Sequence, residues 1–279
     1  MDKLSIFDTH CHLADQEYQK QNKNTKEIIQ EAEKSGVRYI LNAGQDMPTN
    51  RLLLQQIKDF PNLFGALGLH PNSNEDLKEE NLNWIEKQLN NKKIIAIGEI
   101  GLDYYRTFTG IEKQKVWFKK QLELAKKYDL PVLLHIREEG VEDKFPSAFK
   151  DAYEIVKEFG IKKGILHCFT GSWEVAQAFI NLGFYISFAG NITRSNSKWQ
   201  SKWKEVIEKI PLSKMVIETD APYLIPEPLA KKEKFNYPQN IIYTLKKIAE
   251  IRKNEWEKVA EQTFFNALNV FELTGNEKY

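Results

Sequence analysis

Five histidines carry most of the chemistry available to this chain: His10, His12, His70, His135 and His167. Each follows or ends a short apolar run, and Glu99 and Asp220 close two further runs. Imidazole and carboxylate are the donors that hold Zn, Mn, Co or Fe, and with added water Mg. In Phe7-Asp8-Thr9-His10-Cys11-His12 the two histidines are two residues apart. Strand side chains alternate faces, so both point the same way, about 6.6 Å apart along the chain. That spacing suits two rings on one cation, with Cys11 turned to the opposite face. Glu99, in Gly98-Glu99-Ile100-Gly101, would be costly to bury without a partner. A cation or a salt bridge would each supply one. His135 and His167 follow consecutive apolar runs, Leu133-Leu134 and Ile165-Leu166.

Asp220 could bind a cation and accept a proton from an attacking water. Glu218 shares its parity and is expected deeper, as a structural partner of another group. Arg137, two residues past His135, could grip phosphate through its planar fork or pair with an acid. His70, in Gly68-Leu69-His70-Pro71, fits a ligand, a substrate contact or a packed ring, and substrate contact is preferred. Six protein donors (His10, His12, Glu99, His135, His167 and Asp220) exceed what one open catalytic metal needs. Two cations bridged by Glu99 is the natural reading, and two cations suit phosphoryl displacement.

Something must hold these residues together. Strand-like runs are expected at Leu4–His10, Val37–Ala43, Leu63–Leu69, Lys93–Glu99, Pro131–Ile136, Gly164–Cys168, Phe184–Ala189 and Met215–Asp220. Several are apolar throughout, as strands covered on both faces should be. Charged stretches with apolar residues three and four apart lie between them. In Gln114–Tyr128 the expected apolar stripe is Val116, Phe118, Leu122 and Ala125. Eight strand–helix repeats predict a (β/α)8 TIM barrel in the α/β class, as a single domain over residues 1–279. A doubly wound open sheet is the alternative. Gln239–Leu273 reads as two closing helices, and the proline-rich loop Pro222–Pro238 as cover for a barrel mouth.

Composition narrows the rest. Formal charge is +1 over 279 residues, which argues against a broad basic footprint. Two cysteines do not make a disulfide scaffold and fit a reducing compartment. No apolar run nears the roughly 20 residues of a membrane span. The expectation is a cytoplasmic monomer with no membrane partner.

The stretches Asp8-Thr9-His10-Cys11-His12, Gly68-Leu69-His70-Pro71, Gly98-Glu99-Ile100-Gly101-Leu102-Asp103-Tyr104, His135-Ile136-Arg137, His167-Cys168-Phe169-Thr170-Gly171-Ser172 and Glu218-Thr219-Asp220-Ala221-Pro222-Tyr223 together resemble the TatD family of metal-dependent deoxyribonucleases, within the amidohydrolase-like superfamily. The resemblance implies a (β/α)8 barrel with two divalent metal ions (Zn, Mg or Mn). It places one with His10, His12, Glu99 and Asp220, and the other with Glu99, His135 and His167. It also implies cleavage of DNA phosphodiesters, often from the 3′ end. The chain departs from the family pattern at Lys234-Phe235-Asn236-Tyr237-Pro238, where an Arg-Asn-Glu-Pro stretch is usual. Phe235 and Tyr237 stand for the Arg and the Glu.

Catalysis is expected from Asp220 and Glu99, with His70, Arg137 and Arg194 as substrate contacts. Tyr104, Tyr105 and Trp199 could stack on bases or simply pack. The same donors could serve an ester or amide hydrolase, such as a lactonase or an aminoacyl-tRNA deacylase. A PHP-type phosphoesterase would need more His and Asp ligands. A non-catalytic nucleic-acid-binding barrel should have lost a ligand, and none is lost.

Overall fold

A computed structural model describes residues 4–20, 23–138 and 144–275. The ends of the 1–279 domain span therefore lie outside the described residues. Eight strands form one parallel sheet in sequence order: β1 (Ile6–Cys11), β2 (Val37–Ala43), β3 (Leu63–Leu67), β4 (Ile94–Asp103), β5 (Val132–Arg137), β6 (Gly164–Leu166), β7 (Tyr185–Phe188) and β8 (Met215–Ile217). The sheet curls until β8 meets β1. Asp220 N donates to His10 O at 2.9 Å and His12 N to Ala221 O at 2.7 Å. Side chains complete the seam: Thr9 Oγ1 donates to Ile217 O at 3.0 Å, and the buried Asp8 carboxylate accepts from Thr219 N at 2.9 Å. A doubly wound sheet would instead reverse its strand order part-way. The chain is a (β/α)8 barrel.

Among the described residues ten α-helices pack against it: α1 (Gln16–Lys20), α2 (Thr25–Lys34), α3 (Met47–Asp59), α4 (Glu79–Glu86), α5 (Ile111–Tyr128), α6 (Ser147–Phe159), α7 (Trp173–Asn181), α8 (Gln200–Lys209), α9 (Ile241–Arg252) and α10 (Trp256–Val270). Local sequence starts several of them. Asp46 caps α3 in a reciprocal box with Thr49, and Ser172 caps α7. None of the described helices is long and apolar enough to cross a membrane.

One buried cluster takes residues from seven strands, among them Phe7, Tyr39, Phe64, Ile95, Leu133, Ile165 and Val216, with Tyr185 of β7 packed against it. It contains residues of α10 but of no other described helix, as the interior of a barrel plugged at one end should. α10 and the residue that caps it plug that interior from below, with Phe271 5.5 Å from Phe7 and Phe264 stacked 6.0 Å from Tyr39, centroid to centroid. The other large cluster fills the layer between strands and helices, and Cys11 packs there, opposite the H-x-H face.

Several expected boundaries move. β4 runs four residues past Glu99 because Ile100 and Leu102 go on pairing with Leu134 and Ile136. Gly101 makes this possible: its φ is +144°, and a Cβ there would collide with the His135 backbone. Glu99 therefore sits inside a strand, not at its end. β6 and β8 stop earlier than expected, at Leu166 and Ile217. Cys168 and Asp220 have φ of 44° and 53°, which turns the backbone out of the extended form. β3 likewise ends at Leu67, so His70 lies in the following loop.

The stripe expected on α5 needs correction as well. Val116 is 51% exposed, and the glutamines Gln114 and Gln121 take the inner face. Both clamp loops of the mouth. Gln114 exchanges hydrogen bonds with Asp103 N and O at 2.8 and 2.9 Å, and Gln121 with Leu69 N and O at 2.7 and 3.0 Å. A buried amide that satisfies both backbone groups costs little, whereas Val offers them nothing.

Candidate metal centre

The six expected ligands converge at the C-terminal mouth of the barrel. His10 on β1 and His12 just past its end face inward, although His10 lies three residues from the inward-facing Phe7. Strict alternation would send it outward, and a register shift between Asp8 and Cys11 restores it. Glu99 divides its oxygens. Oε1 lies 2.7 Å from His135 Nδ1 and 2.8 Å from His167 Nε2. Oε2 lies 3.7 Å from His10 Nε2 and 3.6 Å from His12 Nε2. Asp220 Oδ1 stands 3.2 Å from His12 Nε2 and 3.7 Å from His10 Nε2.

The residues fit cations. Glu99 Oε2 is buried and has no hydrogen-bond partner, a costly state that a cation resolves. The Nε2 atoms of His10 and His12 lie 3.1 Å apart, close enough to share one proton or to ligate one cation. The far side of three rings is also organised. His12 Nδ1 meets Ala43 O at 2.9 Å, His135 Nε2 meets Asp103 Oδ2 at 3.3 Å, and His167 Nδ1 meets Glu218 Oε1 at 3.3 Å. An acceptor on the outer nitrogen holds the ring proton there and leaves a lone pair on the inner one.

Sequence reading missed Asp103 and Gln45. Asp103 had a signal: it is four residues from Glu99 on one strand and so shares its face. Gln45 had none, yet its amide nitrogen lies 2.9 Å from His12 Nε2. Glu218 lies deep and fully buried, and it also accepts from Cys168 N at 2.7 Å.

The centre floors a cavity of about 1130 Å³. Arg137 and Arg194 line it, together with Arg106, Lys198 and Lys234. None of these five has a carboxylate ion-pair partner among the described residues. Arg137 lies over the Tyr105 ring, 4.3 Å from its centroid. Tyr105 and Trp199 line the cavity, whereas Tyr104 turns away and gives its hydroxyl to Asp151 at 2.7 Å. The mouth also carries Phe108, which is 75% exposed.

The loop from Pro222 to Pro238 lies over the mouth, and its departure from the family pattern becomes intelligible. Asn236 Nδ2 donates to Thr219 O at 2.9 Å and Tyr18 donates to Asn236 O at 2.6 Å, so Asn236 ties the loop to the end of β8. The Tyr237 ring packs on Tyr18, 5.6 Å between centroids, and Phe235 lines the cavity.

A family model described as TatD related DNase matches residues 7–272. The chain belongs to the TatD-related DNase family. Its relatives include the uncharacterized metal-dependent hydrolase YabD of Bacillus subtilis, 37% identical over 96% of this chain and 99% of that one. The 3′-5′ ssDNA/RNA exonuclease TatD of Salmonella typhimurium is 28% identical, again over 96% and 99%. The crystal structure of YjjV, a TatD homologue from Escherichia coli, superposes with a TM-score of 0.84 at 28% identity, covering 96% of this chain and 98% of that one. This TatD-family chain is a metal-dependent hydrolase, with its His, Glu and Asp groups at the mouth where such barrels work.

The acid–base balance of the cation-free centre gives a first prediction. Burial alone would lower the His12 imidazole, but Asp220 and Glu99 outweigh it and hold it at about 9. Burial lifts the Asp8 carboxyl to about 8, against the hydrogen bonds from Thr219. Both groups bind a proton more tightly folded than unfolded. The His12 contribution is complete below about 6.5, its unfolded value, and is lost as pH rises to about 9. Asp8 favours the fold least once pH passes from about 3.8 to about 8. Chelator-stripped protein is therefore expected to lose stability between pH 6.5 and 9, by on the order of a few kcal/mol at about 1.4 kcal/mol per unit. Urea unfolding at three pH values checks this, and a profile that rises across the window would contradict it.

Proposed function

We propose that this chain is a two-cation phosphodiesterase that removes nucleotides from the 3′ end of single-stranded DNA, as a monomer in the cytoplasm. The observation that carries the reading is the shared Glu99 centre beneath a rim of Arg and Lys side chains that have no carboxylate partner among the described residues. A polyanion suits such a mouth, and its grip should weaken with salt. The two free thiols, Cys11 and Cys168, suit the compartment.

His10, His12, Glu99 and Asp220 would hold one cation, and Glu99, His135 and His167 the other, drawn from Zn, Mg or Mn. Bound there, divalent cations supply Lewis acidity toward the phosphoryl group and lower the pKa of water. The chain does the rest. Asp220 takes the proton of the attacking water. The water oxygen bonds to phosphorus, the P–O bond to the 3′ oxygen of the shortened strand breaks, and that oxygen keeps the electron pair and takes a proton from solvent to become the new 3′ hydroxyl. Arg137 presents its fork to the non-bridging oxygens, held flat by Tyr105, and Arg194 and His70 contact the same group. Tyr105, Phe108 and Trp199 offer faces for bases.

The test is hydrolysis of end-labelled single- and double-stranded DNA by chelator-stripped protein with Mg, Mn or Zn restored. Cation-dependent release of mononucleotides from the 3′ label is expected. Arg137→Ala should lower kcat/KM about 10- to 100-fold, the ~1.5–3 kcal/mol of a charged hydrogen bond. Cations bound without any DNA cleavage would reject the nuclease reading and favour a lactone or aminoacyl ester.

A further inference from the structure

Distance alone admits His70 to the metal centre. Its ligand atom and those of Glu99 and His135 all lie within 4.8 Å of one another. Hydrogen bonding points the other way. His12, His135 and His167 each set the outer ring nitrogen against an acceptor (Ala43 O, Asp103 Oδ2 and Glu218 Oε1). His70 does the reverse: the backbone N–H of Asn72 donates to His70 Nδ1 at 3.0 Å. A nitrogen that accepts an N–H bond carries no proton, so the ring proton is on Nε2. Nε2 lies 3.8 Å from Glu99 Oε1, beyond hydrogen-bond reach, in a residue that lines the cavity. A protonated nitrogen has no lone pair for a metal.

The loop leaves the ring little freedom to change role. His70 N donates to Gln45 O at 2.8 Å, and Gln121 holds Leu69 at both backbone groups. Asn72 is fixed in turn, its side chain donating to Asp103 Oδ2 at 2.9 Å. Asp103 therefore serves two opposite settings, an acceptor behind His135 and an anchor for the residue whose N–H faces His70.

We propose that His70 is not a cation ligand but a fixed Nε2–H donor, aimed at a non-bridging phosphoryl oxygen of the substrate, with its tautomer set by the Asn72 backbone. This rests on the phosphodiesterase reading only for the identity of the oxygen. A preorganised donor placed where charge develops costs about 10²–10³ in rate when removed.

Two measurements test it independently. Long-range 15N–1H NMR of wild-type protein, stripped and Zn-loaded, should show His70 protonated at Nε2 and bare at Nδ1 in both states. His70→Leu and His70→Gln should both keep the wild-type number of bound cations. His70→Leu should lose about 100- to 1000-fold in kcat on single-stranded DNA. His70→Gln, whose amide can place an N–H near the same point, should recover most of it. An Nδ1–H tautomer, loss of a cation in His70→Leu, or a Gln variant as slow as Leu would overturn the proposal. Wild-type protein inert on DNA would instead reject the nuclease reading, while the tautomer and the cation count still decide the role of His70.

Discussion

Glu99→Gln is expected to abolish both turnover and cation binding while the barrel stays folded. The two oxygens of Glu99 face separate groups of imidazoles, His135 and His167 on one side and His10 and His12 on the other. Gln keeps the shape but replaces one oxygen with an N–H2 and removes the charge that draws cations together. The loss in kcat/KM should be at least about a thousandfold, more than one electrostatic contact costs, because both halves of the centre fail together. A cation at a hundredfold its Kd raises stability by about 2.7 kcal/mol, and that rise in Tm should disappear. Metal analysis and thermal melts with and without Zn or Mn read this directly. A variant with the wild-type complement of cations and near-normal cleavage would remove Glu99 from the centre.

Asp220→Asn is the second large effect, and it separates charge from shape. Asp220 has a φ of 53°, a conformation that Asn tolerates well, so the substitution spares the backbone. The amide keeps the volume beside His12 Nε2, 3.2 Å from Oδ1 in the native chain. What it cannot do is accept a proton from water. A general base is worth about 10²–10⁴ in rate, and kcat on single-stranded DNA should fall in that range. A fall in cation affinity alone, rescued by excess metal, would make Asp220 a ligand without a proton-accepting role. Full activity would remove it from the chemistry.

How much of this was legible in the chain depends on the range of the interactions involved. Eight apolar runs separated by amphipathic stretches specify a parallel α/β sheet covered on both faces, barrel or doubly wound, and the contacts between β8 and β1 decide for the barrel. The ligand types stood out as well: His10, His12, Glu99, His135, His167 and Asp220 interrupt or follow runs that are otherwise apolar. Strand parity even separated Cys11 from its two neighbours. Contacts between distant parts of the chain settled the rest. His10 reaches the interior because β1 shifts register against β2. Tyr104 and Tyr105 are adjacent, yet one bonds Asp151 on α6 and the other lies beneath Arg137. Val116 and Gln114 exchanged their expected places because Asp103 needed hydrogen bonds at both backbone groups. The largest difference concerns the histidines themselves. In sequence His70 resembles His135 and His167, each trailing an apolar run. A backbone N–H behind one ring and carboxylates behind the others decide which inner nitrogen carries a proton. Sequence determined the donors present, and tertiary hydrogen bonding determined which of them can bind a metal.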